Sequence, residues 1–198
     1  MTGTFGKSAG LDAGALWSAR EARIASTSPF YAVFLTFVAV QRLVEVRVSS
    51  RNARRLLDRG AIELAREQLP WMIALHAALL AACPLEVVFA GRPLVPAVAA
   101  PAAALFAAAE LLRLSAIRAL GPRWSIRVIV VPGETLVATG PYRWLRHPNY
   151  LAVAVEVAAI PMIHGAWITA AVASAANAWL LAARIRVEDE ALRAHASR

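Results

Sequence analysis

Cysteine and lysine are almost missing from this chain. Cys83 is the only cysteine in 198 residues, which excludes an internal disulfide and any cysteine-built metal cluster. The acids and the few histidines show no spacing suited to a metal ion either. Lys7 is the only lysine, so the net charge of +8 comes from arginine. The arginines are dispersed between apolar runs and do not gather on one soluble face, which argues against a nucleic-acid partner. Residues 1–28 lack the basic start, immediate apolar core and small-residue cleavage site of a signal peptide. They read as a polar tail rich in Gly, Ser and Ala, helix-compatible over 16–24. No internal repeat is visible, which argues against a transporter built from duplicated halves.

What is present is apolar. The composition is 59% hydrophobic and the mean hydropathy is +0.55, values that point to the bilayer. The length accommodates roughly five spans of about 20 residues. Five apolar runs stand at 29–48, 70–90, 94–117, 149–163 and 166–183. The fourth is short for a full crossing at about 1.5 Å per residue, which predicts a tilted hairpin with the fifth. The alanine-rich third run suits close helix packing in lipid. Segments 49–69, 118–147 and 184–198 are arginine-rich, whereas the turns at 91–93 and 164–165 are not. Alternating them across five spans places the N-terminus outside and the C-terminus in the cytoplasm. Residues 49–69 read as a basic amphipathic connection. The β-branched run 126–131, the turn Pro132-Gly133-Glu134 and the run 135–139 read as a small hairpin or extended flap outside the bilayer. Trp124, Trp144, Trp167 and Trp179 read as interface markers, and His76 and His164 as packing residues. Glu45, Glu110 and Glu156 fall within spans, where carboxylates are costly and internal or paired. Arg42 and Glu45 share a helix face. Glu156 either lines a cavity or pairs with an arginine. The fold expected is an all-α integral membrane protein of about five transmembrane helices, with a small cytoplasmic extended segment and a C-terminal cytoplasmic helix. It divides into a tail, 1–28, and a single membrane domain, 29–198.

Polar chemistry concentrates at two places. The first is Gly140-Pro141-Tyr142-Arg143-Trp144-Leu145-Arg146-His147-Pro148-Asn149-Tyr150. Gly140-Pro141 breaks any preceding element. Pro148 suits the first position of a helix, so His147 is the expected cap and Asn149 lies in the first turn. Free N–H groups and the helix dipole there, beside arginines, favour an anion. The second place is 184–192, where Arg184 and Glu188 share a helix face. An antiparallel hairpin returns its second end beside its first, so Arg184 and Glu188 should lie near His147 and Tyr150. Singly, His147 reads as a cap, Tyr142 and Tyr150 as interfacial aromatics, and Glu188-Asp189-Glu190 as a solvated charge run. Together they suit a ligand carrying an anion, a cation and a flat ring, next to an amphipathic lipid substrate.

Gly140-Pro141-Tyr142, Arg146-His147-Pro148-Asn149-Tyr150, the apolar hairpin, then Arg184 and Glu188-Asp189 resemble the isoprenylcysteine carboxyl methyltransferase family. The wider set includes the phospholipid methyltransferases. The resemblance covers about 121–192 and implies an integral membrane enzyme using S-adenosylmethionine. It implies that Tyr142, His147, Pro148, Asn149 and Tyr150 contact the cofactor, with Glu134, Thr135, Leu136 and Val137. It further implies that Glu188 binds the cofactor's polar groups and that Arg184 is the catalytic residue facing the acceptor. No metal is implied. Two departures are Ala152, where a glycine is common, and Asp189 as the second acid of the pair. Gln41-Arg42-Leu43-Val44-Glu45 and Ser50-Arg51-Asn52-Ala53 resemble the bacterial branch found beside type III polyketide synthases. The expectation is a membrane O-methyltransferase in a bacterial cytoplasmic membrane. Its acceptor would be a lipid-like molecule, an alkylpyrone or alkylresorcinol hydroxyl or a prenylcysteine-like carboxylate. The alternatives are a phospholipid N-methyltransferase and a small non-enzymatic membrane protein. The partners expected are the amphipathic substrate and membrane lipids.

Overall fold

The computed structural model describes residues 13–195, and the five apolar runs are five helices. The first, α1, spans Ala13–Asp58 and continues through Pro29. It therefore takes in two segments read as lying outside the first span: the part of the 1–28 tail within the described residues, helix-compatible over 16–24, and the start of the amphipathic 49–69 connection. The second stays helical because Ser49, Asn52, Ala53 and Leu56 are buried at helical spacing, giving the basic segment an inward face. Along the span, Phe30, Val33, Phe37, Val40 and Val44 are exposed and form an apolar stripe suited to lipid.

After α1 comes strand β1, Ile62–Leu64, then α2, Gln68–Phe89, and α3, Pro96–Leu120. Strand β2, Val128–Val130, pairs antiparallel with β1, with Ile62 opposite Val130 and Leu64 opposite Val128. Of the two readings of this region, the hairpin is corrected: the run at 126–131 does hold a strand, but its partner is β1 and not 135–139. Gly133, at φ +78°, turns the chain away, as glycine does without penalty. Arg123 then donates to the Thr135 carbonyl at 2.9 Å and ties the following segment near the end of α3.

The last two helices are α4, Pro148–Met162, and α5, Trp167–His195. Four helices are long and apolar enough to cross a membrane, taking α1 from Pro29, while α4 is shorter. Helix α4 packs mainly against α3 and α5, and α5 also packs on α2. Tyr31, Val38, Leu79, Phe106, Val157 and Ile160 belong to the core, where the Tyr31 hydroxyl donates to the Ile160 carbonyl at 2.9 Å.

Charges within the spans are paired across three helices, α1, α3 and α4. Arg42 reaches Glu45 at 2.7 Å, Glu110 at 3.0 Å and Glu156 at 2.8 Å. Arg113 binds Glu45 through Nε at 2.9 Å and Nη2 at 2.6 Å. Of the two readings of Glu156, pairing is thus observed, and a small cavity lies beside it as well. At the α4–α5 turn, Glu86 accepts from the Ile168 amide at 3.2 Å and the Thr169 amide at 2.7 Å. It caps the start of α5 from α2.

Candidate active site

The other end of the hairpin is open, and its sides come from separate elements. Gly140 starts a 3-10 turn, Gly140–Arg143, at φ +57°, and a Cβ there would lie 3.1 Å from the Ala119 Cβ. Only a residue without a side chain fits both the backbone and the approach to α3. This seats the corner that follows. His147 is the cap residue of α4, and its carbonyl accepts from the Tyr150 and Leu151 amides at 3.1 Å. Its side chain does not cap the helix; the ring turns toward α5 instead.

From α5, Asp189 accepts from His147 Nε2 and from Arg146 Nη2, both at 3.1 Å. A carboxylate only accepts, so Nε2 carries the proton and Nδ1 of a neutral ring is left as acceptor. The His147 ring stacks on Tyr150, with centroids 5.4 Å apart and planes at 16°. The Tyr150 hydroxyl donates to Glu188 and accepts from Arg184 Nε at 2.9 Å. Arg184, only 3% exposed, also donates through Nη2 to the Ile126 carbonyl. Tyr142 stands close enough to Glu188 that burial, reinforced by that carboxylate, pushes its phenol above the ordinary range.

His147, Pro148, Asn149, Tyr150, Arg184 and Glu188 therefore meet as the hairpin geometry requires, with Tyr142 beside them. The segment of Glu134, Thr135, Leu136 and Val137 is tied to Arg59 and Arg123. Glu134 pairs with Arg59 at 2.6 Å and Arg123 at 3.1 Å, and Leu136 is exposed. Arginines expected to hold an anion at the corner are also engaged: Arg143 lies over Trp144, Arg146 binds Asp189 and Arg127 faces Glu63.

Residue-by-residue reading missed three supports. Asp189 orients His147; its place one residue after Glu188, on a neighbouring face of the same helix, was the available signal. Ile126 receives Arg184 through its carbonyl, which no side-chain pattern reveals. Asn52 donates to the Trp124 carbonyl at 2.9 Å and Ser49 accepts from the Ile126 amide at 2.9 Å, so α1 holds the loop beneath Arg184. Trp124 is consequently buried at 1% exposure, whereas Trp144, Trp167 and Trp179 are exposed as interface residues should be.

Helices of membrane length define an integral membrane protein, and its polar side chains gather where the ends of one hairpin meet. The sequence profile of the isoprenylcysteine carboxyl methyltransferase (ICMT) family matches residues 102–194, from α3 to the end of the hairpin. The protein YpbQ of Bacillus subtilis (strain 168), described as uncharacterized, is 33% identical over 166 residues, 81% of this chain and 95% of that protein. No solved structure matches the chain. The chain belongs to the ICMT family, a membership that supports a membrane methyltransferase. Methyltransferases of this family use S-adenosylmethionine.

Proposed function

We propose that the chain is an S-adenosylmethionine-dependent O-methyltransferase acting on an amphipathic, lipid-like acceptor. The acceptor class is an alkylpyrone or alkylresorcinol hydroxyl, or a prenylcysteine-like carboxylate. Residues 29–198 act as one domain, with the working residues in 121–192. The observation that carries the reading is the junction of His147–Tyr150 with Arg184–Glu188 at one end of an apolar hairpin. The arginine-rich connections share that end of the bundle, and the inward bias of such loops supports a cytoplasmic site.

The residues fit the cofactor. Among the described residues, Asn149 Oδ1 is buried with no partner, and Glu188 accepts from the Tyr150 hydroxyl alone. Two under-supplied acceptors beside a stacked aromatic pair suit a ligand with an ammonium group, hydroxyls and a flat ring. Glu188, Asn149, Tyr142, Pro148 and the His147–Tyr150 pair hold it, with the 134–137 segment as the outer wall. When bound, S-adenosylmethionine supplies an electrophilic methyl group.

The protein's part is chiefly positioning, worth about 7–11 kcal/mol in favourable cases. Arg184 orients the acceptor. Its Nε and Nη2 are bonded to Tyr150 and Ile126, which leaves Nη1 to face an acceptor oxygen and stabilise its anion. A carboxylate acceptor needs no base. A phenol, with an ordinary pKa of about 10, gains from Arg184 and from the Nδ1 of His147 as proton acceptor. The test is incubation of the purified protein with labelled S-adenosylmethionine and candidate acceptors, read by mass spectrometry. Label on a pyrone or phenol oxygen is expected, with Arg184→Lys retaining cofactor affinity but losing turnover. Label confined to a phospholipid amine contradicts the oxygen-directed reading.

A further inference from the structure

The intramembrane cluster is not used by this chemistry, and its charges do not balance. Glu45, Glu110 and Glu156 face two guanidiniums, Arg42 and Arg113, leaving one carboxylate in excess where net charge is costly. We propose that Glu156 is a proton-binding site within the membrane, holding the one proton that neutralises this cluster. The proposal stands independently of the methyl-transfer reading.

Hydrogen bonding singles out Glu156. Glu45 receives three guanidinium contacts, from Arg42 Nη1 and from Arg113 Nε and Nη2. Glu110 has both oxygens occupied, by Arg42 at 3.0 Å and by the Gln41 amide at 2.5 Å. Glu156 accepts at Oε2 from Arg42 at 2.8 Å, while its Oε1 is buried with no partner among the described residues. The side chain is 2% exposed. A proton resides most readily on the oxygen that no donor approaches, where the hydroxyl it forms can itself donate.

That oxygen belongs to a side chain lining a cavity of about 10 Å³, bounded also by Val38, Arg42, His76, Leu79 and Ile160. This is room for about one water, and the polar lining gives it partners. The cluster's other atom without a hydrogen-bond partner among the described residues, Arg113 Nη1, lies 3.5 Å from Glu156 Oε2. His76 bonds the Met72 carbonyl through Nδ1 at 2.8 Å, so its Nε2 is the acceptor of the neutral ring. The charged and titratable groups facing Glu156 are thus Arg42 and Glu45 from α1, His76 from α2, and Glu110 and Arg113 from α3. Helix α5 carries no charged residue from Trp167 to Ala183, and Arg184 is engaged by Tyr150 and Ile126.

The experiment is infrared spectroscopy of the protein in lipid nanodiscs, from about pH 5 to about pH 9, a range in which an ordinary glutamate is ionised. The difference spectrum of wild type minus Glu156→Gln at neutral pH should show a protonated-carboxyl carbonyl band that shifts in deuterium oxide. Glu110→Gln leaves two carboxylates facing two guanidiniums and should therefore weaken that band. Glu156→Gln should fold with unchanged stability, because glutamine reproduces the shape of the protonated acid. Absence of the band at neutral pH, its survival in Glu156→Gln, or failure of Glu156→Gln to fold each overturns the proposal.

Discussion

The α4–α5 hairpin has a closed end and an open end, and a carboxylate governs each. At the closed end, Glu86 is saturated: two α5 amides, the Thr169 hydroxyl at 2.8 Å and Arg92 Nε at 3.1 Å all donate to it. At the open end, Glu188 accepts from one tyrosine hydroxyl. Glu86 reaches its end from α2 and Glu188 belongs to α5 itself, and the difference lies in how many donors each one meets. A carboxylate with all its donors supplied fixes a helix end. One left under-supplied keeps capacity for a ligand, because unmet acceptors near burial favour whatever satisfies them.

Substitutions can break this contrast in graded steps. Gly140→Val should have the largest effect, destabilising the protein by about 3 kcal/mol in denaturant titrations, through left-handed backbone strain and overpacking against Ala119. It removes the footing of the open end. Glu86→Ala should cost about 1–2 kcal/mol in the same assay, as lost caps do, with cofactor affinity unchanged. A large affinity loss there would erase the distinction between the two ends. Tyr150→Phe removes the hydroxyl that bridges Arg184 and Glu188; calorimetry should show cofactor affinity reduced about tenfold, or ~1.4 kcal/mol, with the fold intact. Asp189→Asn should be mildest, at most about threefold in affinity, because Arg146 is largely exposed and such pairs contribute little.

These regions were not equally legible in the sequence. The hairpin and its cluster were, since Pro148 marks a helix start, the apolar run has a readable length, and Arg184 and Glu188 share a face by spacing alone. Paired carboxylates within the spans were equally predictable for Glu45 and Glu110, since hydrocarbon leaves acids few alternatives. The β-ribbon was not. Each strand has three residues, and the choice between 135–139 and Ile62–Leu64 as partner is decided by tertiary packing, which local propensity does not encode. Trp124 misled for the same reason: it looked interfacial by composition, yet Asn52 and Ser49 of α1 draw its loop inward. The pairing of Glu134 with Arg59 and Arg123 was not readable either, because it depends on how its loop folds back on the ends of α1 and α3.

The central claim is that the under-supplied acid at the open end is a cofactor ligand. Isothermal titration of S-adenosylmethionine into the purified protein, wild type against Glu188→Ala, tests it most directly. The account predicts binding to the wild type and an affinity loss of at least about a hundredfold, ~2.7 kcal/mol, in the variant. Equal affinity in the two proteins contradicts it.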